Sequence, residues 1–115
     1  MLKFGITYLD NGIWNGKQII PENWVEKSSQ HYSGADNHWL NSAIKSIPPG
    51  DSTYGSRGYS YTWWTHEFSH NGRKIPAYWA YGWGGQKIAV LPNQNTVVVF
   101  TGGNYAAATG YPKSY

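Results

Sequence analysis

His66, Glu67 and His70 stand in the order H-E-x-x-H, within the stretch HEFSH. On a helix this spacing puts two imidazoles one turn apart to hold zinc, with the glutamate beside them as general base. Here the pattern follows an aromatic, Thr-rich run, YSYTWWTHEF, and ends just before Asn71-Gly72, so a helix would have almost no length. Zinc also needs a third protein ligand. No Asp or Glu follows Glu67, no His follows His70, and the positions where the extended motif needs Gly and His hold Arg73 and Pro76. On a strand, the two histidines share a face but lie roughly 13 Å apart, too far for one metal. The expectation is therefore two solvent-facing histidines at a hairpin end, with no metal and no cofactor.

A second pattern is Ser42-Ala43-Ile44-Lys45, a literal S-x-x-K. That motif sets a serine nucleophile one helical turn from an activating lysine. In this chain it falls in a Pro/Gly-rich stretch rather than at the start of a buried helix, and no Tyr-x-Asn occurs to complete the set. It reads as a chance match.

The elements that would position any chemistry can be read along the chain. LKFGITYL, residues 2 to 9, has apolar side chains at 2, 4, 6 and 9, and reads as a short helix stopped by Asp10-Asn11-Gly12. Asn15-Gly16, between Ile13-Trp14 and Gln18-Ile19, is a two-residue hairpin signal, because both central positions need positive φ. A second helix is expected from 21 to about 29, with Pro21 at its first position and Trp24, Val25 and Ser28 facing the core. Residues 30 to 58 are rich in Gly, Ser, Asn and Pro and read as a long rim loop or insertion, with a short helical turn around Trp39-Leu40 and Ala43-Ile44. From 59 onward the pattern is β. YSYTWWTHEF makes one strand, Asn71-Gly72 a turn, and AYWAYGWGGQKIAVL a second strand interrupted by glycines. After the turn at Pro92–Asn95, TVVVFTG makes a third, buried on both faces. The whole is a single α+β domain: an antiparallel meander of about three strands, with one or two N-terminal helices packed on it.

Bulk properties narrow the function. The 115 residues are 40% hydrophobic and 13% charged, which suits a globular domain rather than a disordered one. Seven Trp and ten Tyr supply much flat, hydrogen-bonding surface, of the kind that lines clefts and interfaces. Net charge is +3, but the basic residues are scattered and no pair is tighter than Arg73-Lys74, which argues against nucleic acid. With no cysteine, disulfides, thiolate metal sites and a cysteine nucleophile are excluded. No apolar run approaches membrane-spanning length.

Tyr81-Gly82-Trp83-Gly84-Gly85-Gln86, with KIAVLPNQNTVVVFTGGNY after it, and FGITYLDNGIWNGKQIIPENWVEKS before it, together resemble the C-terminal part of the serine β-lactamase-like hydrolases. That superfamily includes class C β-lactamases, penicillin-binding proteins and related esterases. The resemblance covers residues 2 to 29 and about 59 to 105. In the family a Lys-Thr-Gly motif lies on the strand that walls the cleft, and esterase-like members carry other residues there; Trp83-Gly84-Gly85 is similar to that variant. The resemblance implies that Trp83, Gly84 and Gly85 bind substrate, the glycines letting it lie against the strand edge. It implies that the Gln86 N–H is one oxyanion-hole donor, the other being the nucleophile's own N–H. Trp83 in place of lysine removes a cation for a substrate carboxylate and points to esters, amides or peptides. The family's nucleophile motifs lie upstream, so the resemblance implies part of a longer hydrolase, an incomplete portion of the fold, inert alone and periplasmic or secreted. An unfinished sheet would leave an open edge and exposed aromatics, and so favour self-association. The competing reading is a non-catalytic, aromatic-rich module that binds carbohydrate or another ligand.

Overall fold

The computed structural model describes residues 1–34, 54–82 and 84–103. Two helices, α1 (Leu2–Leu9) and α2 (Glu22–Ser29), are joined by a hairpin of β1 (Ile13–Trp14) and β2 (Lys17–Gln18). Six further strands follow: β3 (Ser33–Gly34), β4 (Tyr54–Tyr59), β5 (Trp64–His70), β6 (Arg73–Tyr81), β7 (Lys87–Leu91) and β8 (Thr96–Phe100). They form one antiparallel sheet in sequence order, β3-β4-β5-β6-β7-β8. The architecture is α+β, as expected.

The N-terminal elements follow local chemistry. α1 stops where the Asp10 N–H bonds to the Ile6 carbonyl (2.9 Å) and the Gly12 N–H reaches back to Thr7 (2.7 Å), past a left-handed Asn11. A Cβ on Gly12 would collide with the Ile20 carbonyl, so only glycine lets the chain fold back there. Asn15 and Gly16 have φ of 49° and 72°, the type I′ signature, and pair Ile13 with Gln18 and Trp14 with Lys17. Pro21 sits at the N-cap, φ −54° and ψ 134°, one residue before its expected place in the first turn. Val25 and Ser28 are buried as expected, but Trp24 is 41% exposed. One residue back from Val25 turns Trp24 about 100° round the helix, out of the core and onto Tyr61, with ring centroids 5.0 Å apart.

The sheet corrects the three-strand expectation, for two reasons. The run YSYTWWTHEF is not one strand: the Ser60 N–H bonds to the Trp63 carbonyl (2.8 Å), so the chain turns between β4 and β5 despite its β-favouring composition. The run AYWAYGWGGQKIAVL is likewise a hairpin, with β6 and β7 antiparallel and the glycines in the turn between them. The 30–58 stretch also contributes β3 and most of β4; the short turn expected near Trp39 and Ala43 lies outside the described residues. Asn71-Gly72 forms the predicted turn, φ 51° and 73°.

Strand alternation sorts the sheet into two faces. One face holds Tyr78, Val90, Ile88, Val97 and Val99, and packs with Tyr8 of α1, Val25 of α2 and Trp63. Tyr8 and Ser28 join the two helices through their hydroxyls (3.3 Å). α1 comes very close to this face: a Cβ on Gly5 would stand 2.5 Å from Val97 Cγ1 and 2.9 Å from Ile88 Cγ2. The other face carries Trp64, His66, Phe68, Trp79, Tyr81, Lys87, Val98 and Phe100. Lys87 Nζ lies over three of its rings: Tyr81 (5.1 Å), Phe100 (5.8 Å) and Trp79 (5.9 Å). β8 is not buried on both faces as expected: Val98 is 37% and Phe100 54% exposed, because β8 is the last strand of the sheet. Among the described residues no helix is long and apolar enough to cross a membrane.

The α1–sheet contact yields a test. Gly5→Ala gains about 1 kcal/mol of helix propensity but forces Val97 and Ile88 aside, an overpacking cost of about 1–3 kcal/mol. The net expectation is a lower urea midpoint than wild type. An unchanged or raised midpoint would show that α1 stands further from β7 and β8 than described.

Candidate functional site

The glycine-rich segment after Tyr81 is the turn linking β6 to β7. The Gly82 N–H bonds to the Gln86 carbonyl (2.8 Å) and the Gly85 N–H to the Gly82 carbonyl (2.9 Å). Gly85 takes φ +86°, which favours glycine. The Gln86 side chain donates from Nε2 to the Gly102 carbonyl (2.9 Å), tying the turn to the segment leaving β8. Gly102 packs directly on the main chain of Gly84 and Gly85, where a Cβ would collide with the Gly84 carbonyl. Both contacts run to Gly102, so the turn is anchored to the segment leaving β8. Gly84 is buried and Gly85 half-buried. The turn begins past the end of β6 at Tyr81, and Gly102 packs against one side of Gly84 and Gly85. Trp83 lies outside the described residues, as do Ser42 and Lys45.

A cleft of about 350 Å³ lies elsewhere, where the end of α2 meets β5, β6 and the β7–β8 turn. The strand pairs Thr65–Tyr78 and Glu67–Pro76 form its sheet wall, Ser29 and His31 the α2 side, and Pro92 the end. Thr65 Oγ1 and His31 Nδ1 share a hydrogen bond of 2.9 Å. Ser29 Oγ donates to the Val25 carbonyl in its own helix (2.8 Å). Glu67 pairs with Lys74 at 2.9 Å, the lysine side chain 77% exposed. The cleft thus presents a hydroxyl–imidazole pair and one carboxylate over an apolar wall, an arrangement suited to a small polar ligand. Tyr78 and Tyr81 are three residues apart, roughly 10 Å along β6, so the cleft and the glycine turn are distinct places.

The H-E-x-x-H stretch falls on β5, in extended conformation. Alternation sends Thr65 and Glu67 to the helix side and His66 to the other. His66 is not solvent-facing as expected: it is 4% exposed, with its ring 4.1 Å from Phe68 and stacked at 6.0 Å on Trp79. The strand packs it as an aromatic among aromatics. His70, at the hairpin end, is exposed as expected. Among the described residues no group of three His, Cys, Asp or Glu converges as metal ligands would.

His31 and Thr65 carried no signal in the sequence. They are 34 residues apart and meet only because β3 and β4 bring the segment after α2 alongside β5. In the sequence Glu67 stands out only as part of the H-E-x-x-H pattern.

Tyr78, on the cleft wall, is 7% exposed, and its hydroxyl donates to the Tyr8 carbonyl (3.4 Å). Burial, with a smaller contribution from neighbouring Tyr8, pushes its pKa well above the ordinary tyrosine value. The folded state then holds this proton at pH values where the unfolded chain releases it. The associated stability is present below pH ~10 and is lost above it, by about 1.4 kcal/mol per pH unit for this one group. Tyr78→Phe should remove that share of the alkaline loss; denaturant midpoints for the two proteins from pH 9 to 12 would diverge. Parallel curves would show that Tyr78 ionises normally.

Compared with known protein families and with curated proteins, the chain matches none.

Proposed function

We propose that this chain is the C-terminal part of a β-lactamase-like serine hydrolase that cleaves an ester, amide or β-lactam. It contributes one side of the active site, and the serine belongs to residues beyond this stretch. The observation that carries the reading is Gly84-Gly85-Gln86 in a turn anchored to Gly102 by main-chain packing and by the Gln86 side chain. Oxyanion donors act by standing in place before charge develops, and a turn anchored to the segment after β8 keeps its main chain in place. In this reading the serine attacks the substrate carbonyl and the Gln86 N–H donates to the resulting oxyanion. Trp83, with Gly84 and Gly85, forms the adjacent substrate wall. A Trp where a β-lactam-specific enzyme has a cation favours neutral esters, amides or peptides. The antiparallel sheet and the order of helix, Asn-Gly hairpin, helix, aromatic strand, glycine turn and apolar strand support the same reading. Self-association through an open sheet edge belongs to this proposal.

A second reading is favoured by a specific surface. Trp24, Tyr32 and Tyr61 are 41%, 53% and 49% exposed, and the rings of Trp24 and Tyr32 lie against Tyr61 with centroids 5.0 and 5.9 Å away. Lys27 Nζ stands 5.7 Å from the Tyr61 ring. Such a cluster would suit a ligand-binding module that stacks sugar rings without catalysis.

Two measurements separate these readings. Intact mass after incubation with a fluorophosphonate, which labels activated serines, is expected to show no adduct, and the chain alone is expected to turn over no ester. A stoichiometric adduct would place the nucleophile inside this chain, with Ser42 beside Lys45 the first position to examine. Titration with oligosaccharides is expected to leave tryptophan fluorescence unchanged. A saturable change would favour the binding module.

A further inference from the structure

We infer that the outer edge of β8 pairs antiparallel with β8 of a second copy of this chain, across a two-fold axis through Val98, so that the two sheets become one. This rests on the self-association proposed above and names its surface and register.

β8 ends the sheet order, and among the described residues only β7 pairs with it. That pairing is unbroken from Leu91–Thr96 to Lys87–Phe100, so no bulge bends the edge away. Proteins usually protect an open edge with a charge, a proline, a bulge or a very short strand. Thr96–Phe100, TVVVF, has none of the first three and is five residues long. Its side chains are β-branched or aromatic, the types that favour pairing.

A two-fold pairing about Val98 also keeps the faces of the two sheets in register. With Val98 on the axis, Val97 faces Val99 of the second copy and Thr96 faces Phe100. Every such pair joins residues of the same parity, so each face of one sheet continues as the same face of the other. Val98 and Phe100, 37% and 54% exposed, would gain cross-strand neighbours.

α1 points to the same partner. It lies over β7 and β8, with Gly5 against Ile88 and Val97. Phe4 turns toward the inner strands and stacks on Trp63 at 5.9 Å. At 3.6 residues per turn, Leu2 and Ile6 lie about 160° round the helix from Phe4. Their flank therefore looks outward past β8, and Leu2 is 52% exposed there. Strands sit about 4.8 Å apart, so a helix over β7–β8 and its copy across the axis are about 10 Å apart, the separation at which helices pack. One operation thus pairs the open edge and brings the two Leu2–Ile6 flanks together.

The chain has no cysteine, so single cysteines report the register directly. Light scattering of the wild type at micromolar concentration is expected to give twice the chain mass, and Val98→Lys half of that with unchanged circular dichroism. Under mild oxidation Val98→Cys should cross-link to itself, because the two residues face each other across the axis. Phe100→Cys alone should not, but should cross-link when mixed with Thr96→Cys. A monomeric wild type would overturn self-association altogether. A dimeric wild type in which Val98→Cys fails to cross-link would leave self-association standing and overturn the β8 edge as its surface. If Val98→Lys unfolds, the cysteine variants still decide between these outcomes.

Discussion

Trp63 is where the layers of this protein close on one another. It is 2% exposed and sits in the bend that separates β4 from β5. Its indole meets Tyr8 of α1 at 4.7 Å, Tyr78 of β6 at 5.1 Å and Phe4 at 5.9 Å. Four rings from three separated parts of the chain thus share one contact, and large rings bury the most apolar area per residue. The remaining geometry follows from it. With α1 drawn onto the sheet, position 5 must be a glycine, since any side chain would meet Val97 and Ile88. With Tyr8 fixed, its hydroxyl reaches Ser28 and brings α2 alongside. The segment leaving α2 then runs beside the sheet, where His31 meets Thr65.

The same packing separates two places where chemistry can occur. The glycine turn between β6 and β7 is main-chain architecture: its order comes from backbone hydrogen bonds, a left-handed Gly85 and the close approach of Gly102. The cleft beside β5 is made of side chains, with a hydroxyl, an imidazole and a carboxylate over a Pro- and Tyr-lined wall. The proposed hydrolase role draws on the first. The second lies further along β6 and is available for recognition of a polar group.

The two faces of the sheet also differ in character. The helix-covered face packs aliphatic residues around Val90, which is fully buried, against the buried rings of Tyr8, Trp63 and Tyr78. The opposite face is aromatic, and a single lysine, Lys87, serves three rings on it. His66 belongs to this second face. The sequence pointed to a solvent-facing histidine, but its position on the strand made it packing.

Local chemistry was legible wherever a short stretch decides its own conformation. Asn15-Gly16 and Asn71-Gly72 had to be turns, because few residue pairs accept two consecutive positive φ values at low cost. Both helices, and the α+β character, follow from apolar spacing and from residues that cannot continue a helix. What the sequence left undetermined was decided by contacts between distant residues. YSYTWWTHEF has β-favouring composition throughout, and only the burial of Trp63 places a bend inside it. AYWAYGWGGQKIAVL reads as one strand until β6 and β7 pair and push its glycines into a turn. Trp24 has the chemistry of a core residue, but the inward face of α2 was set by Val25 and Ser28. His31 and Thr65 are 34 residues apart, and no local pattern records a contact that exists only once the sheet has formed. By itself the sequence determined the turns, the helices and which residues were able to lie inside; tertiary structure decided which of them did, because burial and pairing are settled by neighbours far away along the chain.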